Sequence, residues 1–213
     1  MIKVWDGFTR IFHWLLVALV GFAWYTAEEG QMERHMWTGL AIFVLVATRI
    51  IWGFVGSTTS RFSHFLKGPK AVIAYMKGLR PGAAPAVFGH TPTGGWAILA
   101  LLLVLLAMPS LGVFANDDIL FRGPLAHMVD KDVSDSLTEL HEVLFNLLLV
   151  LVIAHVAAIV IYRVVFKENL IHPMITGKRH WSGPAAEATF RSPLLALSIA
   201  AVVALAVYFL VLK

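Results

Sequence analysis

The sequence has no cysteine and few charged residues. Without cysteine, the 213-residue chain cannot form disulfides, iron–sulfur clusters, thiolate zinc sites or covalent c-type haem attachments. Only 14% of its residues are charged, against about a quarter in a typical soluble domain. By contrast, 59% are hydrophobic and the mean hydropathy is +0.78. This composition excludes an ordinary soluble domain and predicts a protein whose surface faces membrane lipid.

Five apolar stretches are long enough to cross a bilayer, which takes about 20 residues in a helix. They cover about 8–26, 36–55, 94–114, 137–166 and 193–212. Backbone polar groups in lipid must be satisfied within the segment, so each stretch is predicted to be a helix. The first stretch lacks a small-residue cleavage motif and is interpreted as a retained span, not a signal peptide. The fold prediction is therefore an all-α integral membrane protein with a single domain over 1–213.

The charges of the connecting loops differ in sign from one side to the other. The 57–93 segment contains five basic residues and no acid, and the 163–191 connection is also mostly basic. The loops at 28–34 and 116–136 are mostly acidic. Because basic loops stay in the cytoplasm, this pattern predicts a multi-pass membrane protein with its N-terminus in the cytoplasm and its C-terminus on the outer side. The net charge of +4 follows from this topology, so nucleic acid is not an expected partner.

Histidine is the one abundant metal ligand, and four of the nine histidines lie within or at the ends of predicted spans. His13 and His155 fall in the cytoplasmic half of the membrane, whereas His35 and His141 fall in the outer half. His141 and His155 are fourteen residues apart on one helix face, which separates them by about 21 Å along the axis. Two imidazoles at one depth on facing helices can ligate one haem iron from both sides, which suits electron transfer. The matched depths therefore predict two bis-histidine haem sites.

Several residues have more than one interpretation. Arg49, about two turns inside the second span, either extends to the cytoplasmic surface or pairs with a haem propionate. The histidines in the loops are expected to be solvated or hydrogen-bonded, although His90 and His127 could contact propionates. Glu142, next to His141, is a candidate for proton exchange with a quinone. Six aromatic residues near the ends of spans are interpreted first as interfacial anchors: Trp14, Trp24, Tyr25, Trp37, Trp52 and Trp96.

Short motifs throughout the chain resemble one known family. They are Trp5-Asp6, Arg10-Ile11-Phe12-His13-Trp14, His35-Met36-Trp37-Thr38-Gly39, Arg49-Ile50-Ile51-Trp52-Gly53-Phe54-Val55-Gly56, Arg61-Phe62-Ser63, Gly89-His90-Thr91-Pro92, Leu140-His141-Glu142, His155 and Met174-Ile175-Thr176-Gly177-Lys178. Over about residues 3–180 the chain resembles the bacterial cytochrome b561 family, which includes the di-haem cytochrome b subunits of nickel–iron hydrogenases. Thr91 stands where the family pattern Gly-His-Asn-Pro has asparagine.

This resemblance implies a four-helix di-haem transmembrane bundle with a fifth, C-terminal helix. It places the protein in the bacterial inner membrane, so that the outer side, with the C-terminus, is the periplasm. It also implies two b-type haems held by His13, His35, His141 and His155, with a quinone as substrate. The partner would be a periplasmic c-type cytochrome or a hydrogenase, and the 117–125 stretch favours the cytochrome. A homo-oligomer is compatible with the sequence.

Two alternatives accompany this hypothesis. Some members of the family transfer electrons from superoxide to quinone, but the acidic periplasmic loops would repel that anion. From a different class, the chain could be a haem-free anchor or a transporter-like module in which histidines relay protons or bind a metal such as zinc. Only Pro109 interrupts a span, which gives little support to the broken helices of a transporter.

Overall fold

The computed structural model describes residues 1–117, 119, 121–181, 183 and 187–213. Five long apolar helices dominate it, each long and apolar enough to cross a membrane. They are α1 (Gly7–Glu28), α2 (Met32–Val55), α5 (Pro92–Gly112), α6 (Lys131–Val164) and α8 (Pro193–Val207), the last continued by a π-helical turn at Tyr208–Leu212. The predicted all-α membrane bundle is confirmed.

The shorter elements lie between these spans. They are α3 (Phe62–Phe65), α4 (Pro69–Gly78) and α7 (Ile171–Thr176), with two short strands, β1 (Ile2–Lys3) and β2 (Lys178–Arg179). β1 and β2 pair antiparallel, which fixes the N-terminus to the segment that follows α6. The helix α4 lies in the basic segment between α2 and α5.

Side-chain caps set where three of the spans begin. The Asp6 carboxylate accepts the Thr9 backbone N–H at 2.7 Å, and the Thr91 hydroxyl accepts the Gly94 N–H at 3.0 Å. The Ser192 hydroxyl accepts the N–H of Leu194 at the start of α8. Such caps satisfy N–H groups that have no partner inside the helix.

Two helices are longer at their N-terminal ends than the hydropathy pattern predicts. α2 begins at Met32 and not at residue 36, and α6 begins at Lys131 and not at residue 137. The additional turns contain polar and charged residues, which can remain helical outside the hydrocarbon region. α5 spans Pro92–Gly112, two residues earlier at both ends than predicted.

The spans pack in the order α1, α2, α5 and α6, and α8 lies against α2. The main core lies between the first four of these helices and includes the fully buried Val46 and the buried Phe12, Leu102 and Leu148. A second, smaller core joins α2 and α8 through Leu40 and Val207. Most apolar side chains of α6 are exposed, as expected of a helix that faces lipid.

The two ends of the bundle differ in charge. We call the end that includes α3, α4, α7 and the N-terminus the basic end, and it contains Arg61, Lys67, Lys70, Lys77, Arg80, Arg163, Lys167, Lys178, Arg179 and Arg191. We call the opposite end the acidic end, and its described acidic residues include Glu28, Glu29, Glu33, Asp117, Asp130, Asp132 and Asp135. Because the chain runs through the bundle five times, its two termini lie at opposite ends of the bundle.

Candidate functional site

The first candidate couple, His35 and His141, lies towards the acidic end. The ring centroids are 6.0 Å apart, although the two residues lie on different helices. The Nδ1 atom of His35 is 2.9 Å from the Ala23 carbonyl of α1, and that of His141 is 2.8 Å from the Met108 carbonyl of α5. A carbonyl oxygen can only accept, so each Nδ1 donates its hydrogen. In a neutral imidazole this leaves the lone pair on Nε2, the arrangement found in metal-bound histidines.

The second candidate couple, His13 and His155, lies towards the basic end. Its ring centroids are 6.4 Å apart, with His13 on α1 and His155 on α6. The Nδ1 atom of His13 is buried and has no hydrogen-bond partner among the described residues. A buried polar nitrogen of this kind is costly unless something pairs with it. The structure therefore brings together the histidines that the sequence places at equal depths, His13 with His155 and His35 with His141.

Within each couple, the two helices that carry the histidines do not pack on one another. α6 runs along α5, and its backbone makes at most isolated approaches to α1 and α2. A gap therefore lies between α6 on one side and α1 and α2 on the other. Nevertheless, imidazoles from its two sides approach each other at both depths. The gap therefore separates the backbones while histidine side chains extend into it from both sides.

The donor set fits a haem iron with two axial histidines. Metal–imidazole bonds of about 2 Å place the centroids of two axial imidazoles about 6 Å apart. Both couples have this separation. A zinc site needs three or four ligands, and the described part of the chain contains no group of three or more His, Cys, Asp or Glu side chains that could hold a metal ion.

Arg49 is buried near the couple at the basic end. It is 2% exposed, so its guanidinium does not reach the surface, and its Nη1 atom has no hydrogen-bond partner among the described residues. The guanidinium carbon lies 5.9 Å from the centre of the Phe12 ring. A buried, incompletely paired guanidinium is costly and favours a nearby anion. This surrounding fits an acidic group of a bound ligand and removes the interpretation that Arg49 extends to the surface.

Asp6 is a candidate counter-ion for Arg49, because its charge acts on the guanidinium, but its carboxylate already accepts other hydrogen bonds. Its donors include the Thr9 N–H at 2.7 Å, the Ser60 hydroxyl at 2.8 Å and the Trp52 indole N–H at 3.3 Å. Burial alone would raise the pKa of Asp6, but the hydrogen bonds from Thr9, Ser57 and Ser60 outweigh it and leave the pKa below its ordinary value. Sequence reasoning recognised Asp6 only as part of a motif. An aspartate directly before an apolar helix is a signal for its capping role.

Trp52 corrects one prediction. The sequence suggests an interfacial anchor, but Trp52 is 0% exposed and its indole bonds Asp6. The other five predicted anchors are between 45% and 55% exposed. Position near the end of a span therefore did not distinguish a lipid-facing ring from a core ring.

His90 is a further polar group near the basic-end couple that sequence reasoning assigned to a solvated loop. Its ring packs between Trp5 and Phe65, with centroid distances of 4.4 and 4.7 Å. Its Nδ1 is buried and has no hydrogen-bond partner among the described residues. Burial, followed by the positive charge of Arg49, lowers the pKa of His90 to about 3. His90 is therefore neutral at pH 7 in this surrounding.

The remaining predicted residues are more exposed. His127, His172 and His180 are exposed, as is the Glu142 side chain beside His141. His64 is half-buried, and burial together with Lys67 and Arg61 lowers its pKa. In the acidic loop, Asp118 and Leu120 lie outside the described residues.

Comparison with known proteins shows which proteins the chain is similar to. The profile of the family described as prokaryotic cytochrome b561 matches residues 4–177. A curated protein of Yersinia pestis named "Probable superoxide oxidase CybB" is 28% identical over 188 residues, which is 78% of this chain and 93% of that protein. No solved structure matches the chain.

Proposed function

The chain belongs to the prokaryotic cytochrome b561 family, and we propose that it transfers electrons through two b-type haems between a membrane quinone and a redox partner at its acidic end. It is a multi-pass membrane protein of a family that binds b-type haem and transfers electrons. The observation that carries the proposal is the pair of histidine couples, with centroids 6.4 and 6.0 Å apart across a gap between the helix backbones.

In the proposal, His13 and His155 hold one haem, and His35 and His141 hold the other. A haem held by two histidines in this way would supply single-electron transfer and would leave no ligand position open to oxygen. Ala23 and Met108 support this role through their carbonyls, which orient the acidic-end imidazoles and keep Nε2 unprotonated. The two sites are about 20 Å apart along α6, since fourteen residues separate its two histidines.

Arg49 completes the basic-end site in this proposal. Its buried Nη1 would donate to a propionate carboxylate, which is the anion that a haem brings into such a site. The Asp6 network supports this assignment, because its carboxylate oxygens already accept from Thr9, Trp52 and Ser60.

The orientation and the partner follow from charge. The basic end would face the cytoplasm of a bacterial inner membrane, with the C-terminal Lys213 in the periplasm. The acidic end would then attract a basic surface on a periplasmic c-type cytochrome or hydrogenase and increase the encounter rate. In this role the chain is an electron-transfer protein or the quinone-linked subunit of an oxidoreductase.

A second candidate is superoxide oxidation coupled to quinone reduction. The name of the Yersinia pestis relative favours it. The charge of the acidic end opposes it, because an anionic substrate is repelled by a surface rich in aspartate and glutamate. Rapid mixing of the oxidised protein with superoxide tests this candidate, since haem reduction by superoxide at a rate above that by quinol would favour it.

The experiment that tests the main proposal is a haem count followed by a reduction assay. We expect a reduced pyridine haemochrome assay on purified protein to give two b-type haems per chain, and a quinol to reduce both. A colourless protein after expression with ample haem supply would contradict the proposal and favour a haem-free anchor or transporter-like module.

A further inference from the structure

Two buried tyrosines form a hydrogen bond at the basic end. The hydroxyl oxygens of Tyr75 on α4 and Tyr162 on α6 are 3.0 Å apart. The residues are 7% and 9% exposed. One hydroxyl donates to the other, so the accepting tyrosine retains a hydrogen that requires a further partner. Buried hydroxyls normally find such a partner in the protein or in ordered water.

A small cavity adjoins this tyrosine pair. Its volume is about 20 Å³, and its lining includes Tyr75, Tyr162, Thr91 and Glu168. A cavity that holds one water needs about 10–15 Å³ and two to four polar partners. The lining residues Tyr75, Tyr162 and Glu168 have polar groups in that number. The cavity therefore suits one water that connects the tyrosine pair to Glu168.

Glu168 connects the cavity to the surface. Its carboxylate accepts from the Arg179 guanidinium at 2.8 Å, and its side chain is 35% exposed. Arg179 also donates to the Val87 carbonyl at 3.0 Å. The arginine is thus fixed from two sides, and it holds the carboxylate at the outer wall of the cavity.

The inner end of this arrangement points towards the basic-end couple. Tyr162 follows His155 by seven residues, which is two helical turns, so the two side chains leave α6 on nearly the same face about 10 Å apart. Helical side chains lean towards the N-terminus, so Tyr162 leans in the direction of His155. Gly89 and Thr91, which line the cavity, flank His90 in the chain.

We propose that Glu168, one water in the cavity, and the Tyr75–Tyr162 pair form a proton path between the basic-end surface and a quinone head group bound beside the His13–His155 couple. This inference rests on the proposed function. Oxidation of a quinol breaks two O–H bonds and yields a quinone, two electrons and two protons. The electrons leave by the proposed electron-transfer route, and the protons leave one after the other through the path. Reduction of a quinone takes up both in the opposite direction.

The tyrosines can serve this purpose without ionising. Burial, followed by the hydrogen bond with Tyr162, raises the pKa of Tyr75 above its ordinary value. A neutral hydroxyl accepts a proton on its oxygen and releases its own hydrogen on the other side. Each transfer therefore rearranges the hydrogen bonds of the pair and leaves no charge behind.

The test compares a reaction that moves protons with one that does not. Haem absorbance is followed after mixing with a quinol or with dithionite, in H₂O and in D₂O. We expect Tyr162→Phe, Tyr75→Phe and Glu168→Gln to slow reduction by quinol about tenfold, to increase its solvent isotope effect, and to leave reduction by dithionite unchanged. Glu168→Asp should recover much of the rate. Tyr208→Phe, in the turn after α8, is the matched control and should behave as wild type.

The outcomes separate the two proposals. If quinol does not reduce the wild-type protein, the proposed function fails and the path fails with it. If quinol reduces wild type and the three variants at equal rates, only the path is wrong. If the variants are slowed equally with quinol and dithionite, the tyrosine pair merely joins α4 to α6, which also overturns the path. Haem spectra and thermal unfolding of each variant show whether the fold has changed.

Discussion

The imidazole of His141 lies directly against Gly112. A Cβ atom at Gly112 would come within 3.4 Å of both Cε1 and Nδ1 of the ring. The same Nδ1 donates to the Met108 carbonyl one turn earlier in α5. Gly112 therefore leaves the space in which the ring reaches this carbonyl, and any larger side chain competes with the ring for it.

We expect Gly112→Val to reduce haem content from two to about one per chain, because the branched side chain displaces the His141 ring from the Met108 carbonyl. Gly112→Ala should have a smaller effect. The measurement is the haemochrome count together with the low-temperature absorption spectrum. Gly68→Val is the control, since a Cβ atom there meets nothing within 4 Å. Full haem content in Gly112→Val would contradict the assignment.

The pairing of the histidines predicts how single and double variants combine. His35→Leu and His141→Leu should each lose one haem, and the double variant should lose the same one, because both residues belong to one site. Combining His35→Leu with His155→Leu should remove both haems. Equal haem loss in the two double variants would show that the couples are wrongly assigned. Redox titration followed by absorbance identifies which haem remains.

Arg49 is predicted to set the potential of the basic-end haem. Removing a buried positive charge favours the oxidised, more positive iron, so Arg49→Leu should lower one midpoint potential by about 60 mV, a tenfold change in a one-electron equilibrium. Arg49→Lys should lower it less. Arg163→Leu removes an exposed charge at the same end. Both midpoint potentials should stay within about 15 mV of their wild-type values, because water and salt screen this charge. Potentiometric titration measures these shifts.

The acidic end is predicted to increase the encounter rate with a basic partner. Asp130 and Asp132 are exposed at the start of α6. The double change to asparagine should slow electron exchange with a basic c-type cytochrome about three-fold at low ionic strength, and the difference should disappear in about 0.5 M salt. Glu187→Gln, at the basic end, should leave the rate unchanged. A salt-independent loss would point to damage within the protein and not to steering.

Asp6 is predicted to stabilise the fold at neutral pH. Its carboxylate caps α1 and accepts from Ser60 and Trp52, so Asp6→Asn should cost about 1–3 kcal/mol of unfolding free energy at pH 7. The pKa of Asp6 is lowered in the fold. Its contribution is therefore complete above the unfolded pKa of about 3.9 and is lost as the pH falls through the lower folded-state value.

The measurement for Asp6 is denaturant unfolding in detergent micelles at pH 7 and at pH 3. The difference between wild type and Asp6→Asn should be smaller at pH 3. Asp130→Asn changes an exposed aspartate and should differ little from wild type at both values. If the difference in unfolding free energy between wild type and Asp6→Asn stays constant or grows towards acid pH, the ionised Asp6 carboxylate does not stabilise the fold as proposed.

Much of the architecture could be predicted from the sequence, because lipid imposes strict conditions on the chain. A bilayer requires helices of about 20 apolar residues, and the five apolar stretches became the five long helices. The polar turns that extend α2 and α6 were missed, since hydropathy does not report helix outside the hydrocarbon. The proximity of His13 to His155, and of His35 to His141, followed from axial rise along helices of alternating direction.

What only the tertiary structure decided are the contacts made across loops and between helix ends. The Tyr75–Tyr162 bond joins residues 87 positions apart, and the Asp6–Trp52 bond joins residues 46 apart. No periodicity encodes either contact. The first depends on how the loop between α2 and α5 folds over the basic end, and the second depends on how the start of α1 meets the last turns of α2. For the same reason His90 was expected in solvent and is packed between two aromatic rings. Depth in the membrane is a property of position along the chain, whereas side-chain surroundings arise only when separate segments meet.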